Sequence, residues 1–202
     1  MKPGDQIYQQ YLNILNEELR PAMGCTEPIA VAYAAALARK TLGALPETVD
    51  IRVSANIIKN VKSVVVPHTG GLRGIEAAAA AGIVAGVADA QLEVLAEVTE
   101  DQIAQMAPYL KQAEFSVAPS ETDYIFDIQI TVGAAGHTAF VQIAGGHTNV
   151  IDLRKDDAVL LEKEYIQGGQ VEETDHALLT VEKIVDFADT VRIEDVREVL
   201  DN

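Results

Sequence analysis

The amino-acid sequence predicts an α+β protein in which helices pack on a mostly antiparallel sheet. Segments with helical spacing of apolar residues and segments of alternating apolar and polar residues are interleaved, without the regular strand and helix alternation of a parallel α/β fold. Residues 114–163 hold short alternating runs separated by Gly, Asp and Lys, which predicts a meander of antiparallel strands. An alanine-rich run near residue 80 predicts a buried helix against which other elements pack closely.

The first 43 residues predict two helices. Residues 5–19 carry apolar side chains on one helical stripe, and Pro21 is expected to end this helix. Thr26 is expected to cap the second helix, whose acidic first turn and basic last turn complement the helix dipole. Gly43 is expected to close that helix in the left-handed conformation.

The middle of the chain predicts strands and a glycine-rich turn. Residues 48–54 alternate as a strand, and residues 64–67, "VVVP", predict a short buried strand that stops at the proline. The turn "HTGGLRG" then leads into an alanine-rich helix over residues 74–87.

Three further segments complete the order of elements. Residues 90–98 alternate weakly and favour a strand over a helix. Thr99 and Gln102 form a capping-box pattern that opens a helix to about residue 112. The acidic tail over residues 172–202 has a helical pattern.

The length of 202 residues fits one large domain or two small ones. No linker rich in Pro, Gly or Ser divides the chain. The change from mixed helix and strand to meander near residue 113 marks the best internal boundary.

Composition and charge exclude several classes of partner. Fifteen Lys and Arg against 31 Asp and Glu give a formal charge of -16, which repels nucleic acid and anionic lipid. The most apolar window is too short for a membrane span, and the start of the chain does not resemble a signal peptide. The one cysteine cannot form an intramolecular disulfide, so we expect a cytoplasmic protein.

That single cysteine, Cys25, lies at the predicted start of the second helix. A lone cysteine is commonly a small buried hydrophobe, but the amides and dipole of a helix N-terminus favour a thiolate. The dipole supplies at most about 1 kcal/mol. A nucleophile or base at this position therefore also needs a cation, for which Lys59, Lys62 and the histidines are candidates.

Two glycine-containing segments could complete a site. The strand end, Thr-Gly-Gly turn and helix start within residues 54–74 form a plausible anion cradle that suits a carboxylate, or simply a tight turn. Gly-His-Thr occurs twice, ten residues apart, which predicts His137 and His147 at the same end of a sheet. No third ligand at a telling distance supports zinc, and both histidines fit turn or edge positions equally well.

Four segments, "RPAMGCTEPIAVAYAAALA", "SANIIKN", "VPHTGG" and "GGHTNV", resemble in their order and separation the N-terminal half of the L-cysteine desulfidase family, which is related to the alpha chain of iron-sulfur L-serine dehydratase. The resemblance covers essentially the whole chain. Gly24-Cys25-Thr26-Glu27-Pro28 is its most specific motif. His68 replaces a glycine that is common in the family's turn.

The resemblance implies a lyase that degrades L-cysteine to pyruvate, ammonia and sulfide by β-elimination. It implies a 4Fe-4S cluster in place of pyridoxal phosphate, with Cys25 as the residue that transfers the α-proton. Backbone amides at Thr26 and at the Gly70-Gly71 turn would suit the substrate carboxylate. The substrate-binding candidates are Thr26, Glu27, Asn56, Lys59, Asn60, Thr69, Gly70, Gly71, His147, Thr148 and Asn149.

A 4Fe-4S cluster is normally held by three or four thiolates, and this chain has one cysteine. The resemblance places the cluster ligands in a C-terminal half, and the uncapped ending "VREVLDN" is typical of a cut within a longer polypeptide. We therefore expect that the chain is an N-terminal, substrate-side half, inactive alone, whose partner is a cluster-binding half or second subunit. An exposed apolar patch at the docking surface is expected and could drive self-association.

Two alternatives to an L-cysteine lyase stay open. L-serine is a nearby substrate, which would make the chain an L-serine dehydratase subunit. A non-catalytic module that binds a small anion or amino acid would instead hold Cys25 buried and inert. Alkylation of Cys25 against pH distinguishes the lyase from the binding module.

Overall fold

The computed structural model describes residues 1–19, 24–167 and 174–201. The chain divides into two compact units. The larger comprises residues 22–168 and the smaller joins residues 1–21 to residues 169–202. Residue 113 lies inside the larger unit, between a helix and a strand that both pack within it.

The larger unit is built on one six-stranded sheet. Its strands are β1 (Thr48–Val53), β2 (Glu114–Pro119), β3 (Asp127–Ala134), β4 (His137–Ala144), β5 (Val150–Lys155) and β6 (Ala158–Glu162). The strand order is β2-β1-β3-β4-β5-β6, and every neighbouring pair is antiparallel except β1 and β2. The prediction of an α+β fold with a mostly antiparallel sheet is confirmed.

Helices cover one face of this sheet. In the larger unit, α2 (Thr26–Leu42) packs on β3 and β4, α4 (Ile75–Ala85) packs on α2, and α5 (Glu100–Gln112) packs on α4 and β2. The short α3 (Ala55–Val61) follows β1 directly. The alternating strands β3 and β4 turn their aliphatic side chains inward, as Ile128, Ile130 and Val141 are fully buried.

The alanine-rich composition explains how closely α2 and α4 approach. A Cβ on Gly82 of α4 would stand 2.0 Å from the carbonyl oxygen of Ala32 of α2. Alanine and glycine at this contact allow the two backbones to touch, and the alanines of both helices are fully buried or nearly so. The predicted close packing of the helix at residues 74–87 is confirmed.

The smaller unit contains α1 (Gln6–Glu18), α6 (Val181–Thr190) and α7 (Arg197–Asp201). Its buried cluster consists of Tyr8, Tyr11 and Phe187. The ring centroid of Phe187 lies 5.5 Å from that of Tyr8 and 5.1 Å from that of Tyr11. The first helix occurs as predicted, while Pro21, expected to end it, lies outside the described residues.

Local signals located the helix ends well. Thr99 and Gln102 form the expected capping box of α5, and Gly43 ends α2 in the left-handed conformation. The prediction that Thr26 caps α2 is wrong by one residue, because Thr26 is already helical and Cys25 occupies the capping position without a side-chain cap bond.

Three strand predictions differ from the structure. Residues 64–67 form only an isolated bridge between Val65 and Arg73. Residues 90–98 begin within a 3-10 turn over Ala88–Glu93 in which Gln91 has a positive φ, so an extended strand cannot form there. β2 was expected within the meander but pairs in parallel with β1 at the sheet edge. This pairing between distant segments leaves no local signal in the sequence.

Within the part of the chain that is described, no helix combines the length and apolarity that a membrane span requires.

Candidate active site

Cys25 lies where three chain segments of the larger unit meet. As the N-cap of α2, it has an extended backbone, and its side chain is exposed. The preceding residue, Gly24, has φ +92°, and a Cβ there would lie 3.5 Å from Cγ of Pro67. The "GCTEP" motif and the "VPHTGG" turn are therefore neighbours in the fold.

The Cys25 thiol contacts a carboxylate. Sγ of Cys25 donates a hydrogen bond to Oε2 of Glu27 at 3.2 Å, and the Thr26 hydroxyl donates to the same oxygen at 3.4 Å. The other carboxylate oxygen of Glu27 accepts a hydrogen bond from Nδ2 of Asn60 at 3.1 Å. Asn60 lies in the last turn of α3, so this contact joins the start of α2 to the end of the "SANIIKN" segment.

His147 completes the cluster from the connection between β4 and β5. Its imidazole is half-buried and packs edge-on against Phe126, with ring centroids 4.8 Å apart. When it is protonated, its charge interacts with that of Glu27. Burial lowers the pKa of His147 more than the nearby Glu27 raises it, which favours the neutral imidazole.

The surroundings keep a proton on Cys25. Partial burial, the hydrogen bond to Glu27 and the negative charge of Glu27 raise the pKa of Cys25, although the Glu27 backbone amide opposes them. A carboxylate, rather than the cation required by the sequence argument, is the nearest charged partner. The expected bias of a helix N-terminus toward a thiolate is therefore overridden by the neighbouring carboxylate.

Glu27 stays ionised in the same cluster. Partial burial pushes its pKa up, but hydrogen bonds from Cys25, its own amide and Asn60 lower the pKa overall, and protonation of His147 at lower pH adds to this lowering. The cluster therefore holds a protonated thiol next to an ionised carboxylate at neutral pH. Such a pair can pass a proton between Sγ and Oε2 when a third group competes for it.

A second layer holds the His147 connection in place. A Cβ on Gly145 would stand 2.3 Å from the ring of Tyr165, so that ring lies directly on the glycine. The Tyr165 ring packs edge-on against Tyr124, and the backbone amide of Ile125 donates to the side chain of Gln167 at 2.8 Å. Sequence reasoning missed these aromatic residues, and the Gly145-Gly146 pair was the available signal for a close contact.

The structure brings together five of the twelve residues expected at the site: Cys25, Thr26, Glu27, Asn60 and His147. Asn56 instead donates to the Ile125 carbonyl at 3.4 Å. Lys59 is exposed and forms no ion pair with any carboxylate of the described residues. The pKa of Cys25 is set by burial and by Glu27, with no contribution from Lys59.

The Thr-Gly-Gly turn and the end of the "GGHTNV" motif have internal roles. Thr69 is buried and bonds to the Val66 carbonyl and the Leu72 amide, while a Cβ on Gly70 would lie 3.1 Å from Ile103 of α5. The geometry of Thr69, Gly70 and Gly71 is that of a tight turn, with positive φ at both glycines. Thr148 and Asn149 close their own loop, where Nδ2 of Asn149 donates to the Ala144 carbonyl at 2.8 Å.

The prediction that His137 and His147 lie at the same end of the sheet is wrong. His137 begins β4 and bonds to Asp156, whereas His147 follows the end of β4. The eight residues of β4 span about 23 Å from His137 to Ala144, so the two histidines lie at opposite ends of this strand.

The residues of this chain do not fit an iron-sulfur cluster. The sequence has one cysteine, and the described residues contain no group of three His, Cys, Asp or Glu side chains placed to hold a metal ion. A 4Fe-4S cluster needs three or four thiolates.

Three of the most similar proteins are all named UPF0597 protein. The chain is 51% identical over 201 residues to the UPF0597 protein of Desulfitobacterium hafniense (strain Y51), covering 100% of this chain and 47% of that protein. It is 42% identical over 194 residues to the UPF0597 protein of Treponema denticola, covering 96% of this chain and 45% of the relative. The UPF0597 protein of Lachnoclostridium phytofermentans is 40% identical over 195 residues, with 96% and 46% coverage.

No family model matches the chain, and no solved structure matches it. The chain spans about half the length of the curated relatives it matches. The assignment to the L-cysteine desulfidase family, as its N-terminal half, is wrong by this comparison, because the relatives that are twice as long are UPF0597 proteins. Sequence identity relates the chain to UPF0597 proteins.

Proposed function

We propose that the cluster of Cys25, Glu27, Asn60 and His147 is the proton-transfer site of a lyase. The proposed reaction is β-elimination from a small L-amino acid that carries a β-thiol or β-hydroxyl group. L-cysteine, giving pyruvate, ammonia and sulfide, is the first candidate substrate, and L-serine is the second. One observation carries this proposal: an accessible thiol that donates to an ionised carboxylate at 3.2 Å.

β-Elimination requires a base for the α-proton and a place for that proton to go. In the proposed step Sγ of Cys25 passes its proton to Oε2 of Glu27 and takes the α-proton of the substrate. The electron pair of the broken Cα–H bond forms the Cα=Cβ bond as the bond from Cβ to sulfur or oxygen breaks, and the leaving group takes that second electron pair as hydrosulfide or hydroxide. The proton held on Glu27 can pass to this leaving group. The 2-aminoacrylate that remains tautomerises to an imine, which water hydrolyses to pyruvate and ammonia. A thiolate whose pKa is raised is the stronger base for this weakly acidic proton.

The other residues of the cluster support this role. Asn60 fixes the Glu27 carboxylate by donating to the oxygen that Cys25 does not use. Neutral His147, with Phe126 against its ring, can donate or accept a hydrogen bond with a substrate group. At the start of α2, the Glu27 amide contacts the Cys25 and Glu27 side chains and Pro28 has no amide hydrogen, so the Thr26 amide is the group that suits the substrate carboxylate.

We extend the proposal to what lies outside this chain. Any iron-sulfur cluster that serves the reaction would be held by thiolates of another polypeptide segment or subunit, because this chain has one cysteine. We also place the reaction in the cytoplasm, where a lone free thiol stays reduced.

A turnover assay tests the proposal. Sulfide, ammonia and pyruvate are measured from L-cysteine and L-serine, under anaerobic conditions with iron and sulfide supplied, for this chain and for the longer Desulfitobacterium hafniense relative. We expect pyruvate from the longer protein and none from this chain alone. A longer protein that assembles a cluster and still leaves both amino acids intact would contradict the proposed reaction.

A small-anion or amino-acid binding module is the second candidate function. The Thr26 amide at the start of α2 favours it equally, because an amide can bind a carboxylate without any proton transfer. The exposed Cys25 argues against the version of this function that requires a buried, inert thiol.

A further inference from the structure

A second cleft lies at the opposite end of α2 from Cys25. It opens where α2 and α4 both end and has a volume of about 630 Å³, within the range of small-molecule sites. Arg39 lies fourteen residues along α2 from Cys25, about 21 Å at the rise of an α-helix. The cleft is therefore separate from the candidate active site.

Two cationic side chains line this cleft. Arg39 and Lys40 line it from the last turn of α2, and Asp89 provides a carboxylate that pairs with Lys40 at 2.5 Å. Arg39 forms no ion pair with any carboxylate in residues 1–19, 24–167 and 174–201. Nζ of Lys155 lies 3.9 Å from the position of a Cβ on Gly43, a further residue of the lining.

The cations are more numerous than helix capping explains. Basic residues in the last turn of α2 complement its dipole, which accounts for Arg39 and Lys40. Lys155, however, lies at the end of strand β5 and is not part of α2, so the helix dipole does not explain its position. The lining holds two cations and one carboxylate, and because Asp89 pairs with Lys40, the Arg39 guanidinium is left as a positive charge beside the cleft in a chain whose net charge is -16.

The cleft also has apolar walls. Leu45 and Val87 line it and leave 52% and 46% of their surface exposed. A single exposed aliphatic residue needs no explanation, but two beside the Arg39 guanidinium form an amphipathic surface. Gly86 cannot carry a side chain, because its Cβ would stand 2.7 Å from that of Ala36, so this wall stays open.

We propose that this cleft binds a small carboxylate with a short branched aliphatic body. The carboxylate would pair with the Arg39 guanidinium, with Lys155 nearby, and the aliphatic body would contact Leu45 and Val87. Planar guanidinium and carboxylate groups match in a bidentate hydrogen-bonded pair. This inference does not depend on the reaction proposed for Cys25.

Titration with isovalerate, followed by backbone amide NMR, tests the proposal. We expect saturable shifts confined to residues 39–45, 86–89 and the end of β5. 3-Methyl-1-butanol, which has the same aliphatic body without the charge, should cause no saturable shift. Equal binding of the alcohol, shifts spread over the chain, or no saturation would overturn the proposal.

Charge variants locate the site. Arg39→Gln should weaken isovalerate binding at least tenfold, and Lys155→Gln at least threefold. Lys163→Gln is the matched control, because Lys163 is exposed and lies near Ile151 at the other end of β5. If Arg39→Gln perturbs folding, Lys155→Gln decides the question, and unchanged affinity in a folded Lys155→Gln variant would overturn the proposal.

Discussion

Replacing Glu27 by glutamine is predicted to increase the thiolate fraction of Cys25. The substitution keeps the shape of the side chain and its amide can still reach Asn60, but it removes the negative charge next to Sγ. Glu27 raises the pKa of Cys25 through both its hydrogen bond and its charge. The pKa of the thiol should therefore fall in the variant.

The size of this effect follows from the geometry. Two unit charges about 3 to 4 Å apart repel by about 1 kcal/mol in a water-like environment, which suits the exposed thiol. That energy corresponds to about a fivefold change in the ratio of thiolate to thiol. Because a thiolate of lower pKa is a weaker nucleophile, the rate of alkylation should rise only about two- to threefold.

The ultraviolet absorbance of the thiolate measures the effect against pH. The chain has one cysteine, so the signal belongs to Cys25 once a Cys25→Ser variant has corrected for its six tyrosines. The two titrations should differ below the pKa of the thiol and converge where both proteins are fully ionised. Glu100→Gln, the same change in the first turn of α5, is the control and should leave the titration unchanged.

An unchanged or smaller thiolate fraction in Glu27→Gln would refute this reasoning. It would mean that the carboxylate does not contact Sγ in solution, and the proton transfer from Cys25 to Glu27 would lose its basis. An equal rise in Glu100→Gln would also refute it, because the effect would then reflect the charge of the whole chain.

Three further substitutions test the fold by chemical unfolding. His68→Gly should stabilise the protein by about 0.5–1 kcal/mol. His68 has φ +55°, a backbone conformation that costs a non-glycine residue about 1–2 kcal/mol. Glycine removes this cost, although the greater entropy it gives the unfolded chain offsets part of the gain. Gly82→Ala should destabilise by about 3 kcal/mol, since the new Cβ would stand 2.0 Å from the backbone oxygen of Ala32; unaltered stability would contradict the close contact of α2 and α4. Thr99→Ala should cost about 1 kcal/mol by removing the capping bond to the Gln102 amide, and a loss below a few tenths would contradict that capping bond.

The parts of the fold that sequence predicts are those with local causes. The capping box at Thr99 and the left-handed Gly43 depend on residues within one turn of the helix end. The alternation of β3 and β4 follows from one face packing against helices. The parallel pairing of β2 with β1 was not predicted, because it joins segments more than 60 residues apart.

The candidate site also has features that the sequence predicts and features that depend on the folded geometry. Its motifs are visible in the sequence, and the fold brings Cys25, Asn60 and His147 together from three of them. The direction of the Cys25 pKa shift could not be predicted, because it depends on the orientation of the Glu27 side chain. A residue two positions along a regular helix points away, but an N-cap with extended backbone lies within reach of it.

The separation of His137 and His147 shows the limit of sequence spacing. Ten residues can span one strand from end to end or return to the same end through a turn. Here the intervening residues pair continuously with β3 as one strand, which places the two histidines at its opposite ends.

Protection of Cys25 from alkylation tests the central claim most directly. Iodoacetamide modifies the single thiol, and S-methyl-L-cysteine serves as a substrate analogue without a free thiol of its own. The account predicts saturable protection by the L-enantiomer and much weaker protection by the D-enantiomer. Equal alkylation rates with and without either enantiomer would contradict the claim that the Cys25 and Glu27 pair lies in an amino-acid binding site.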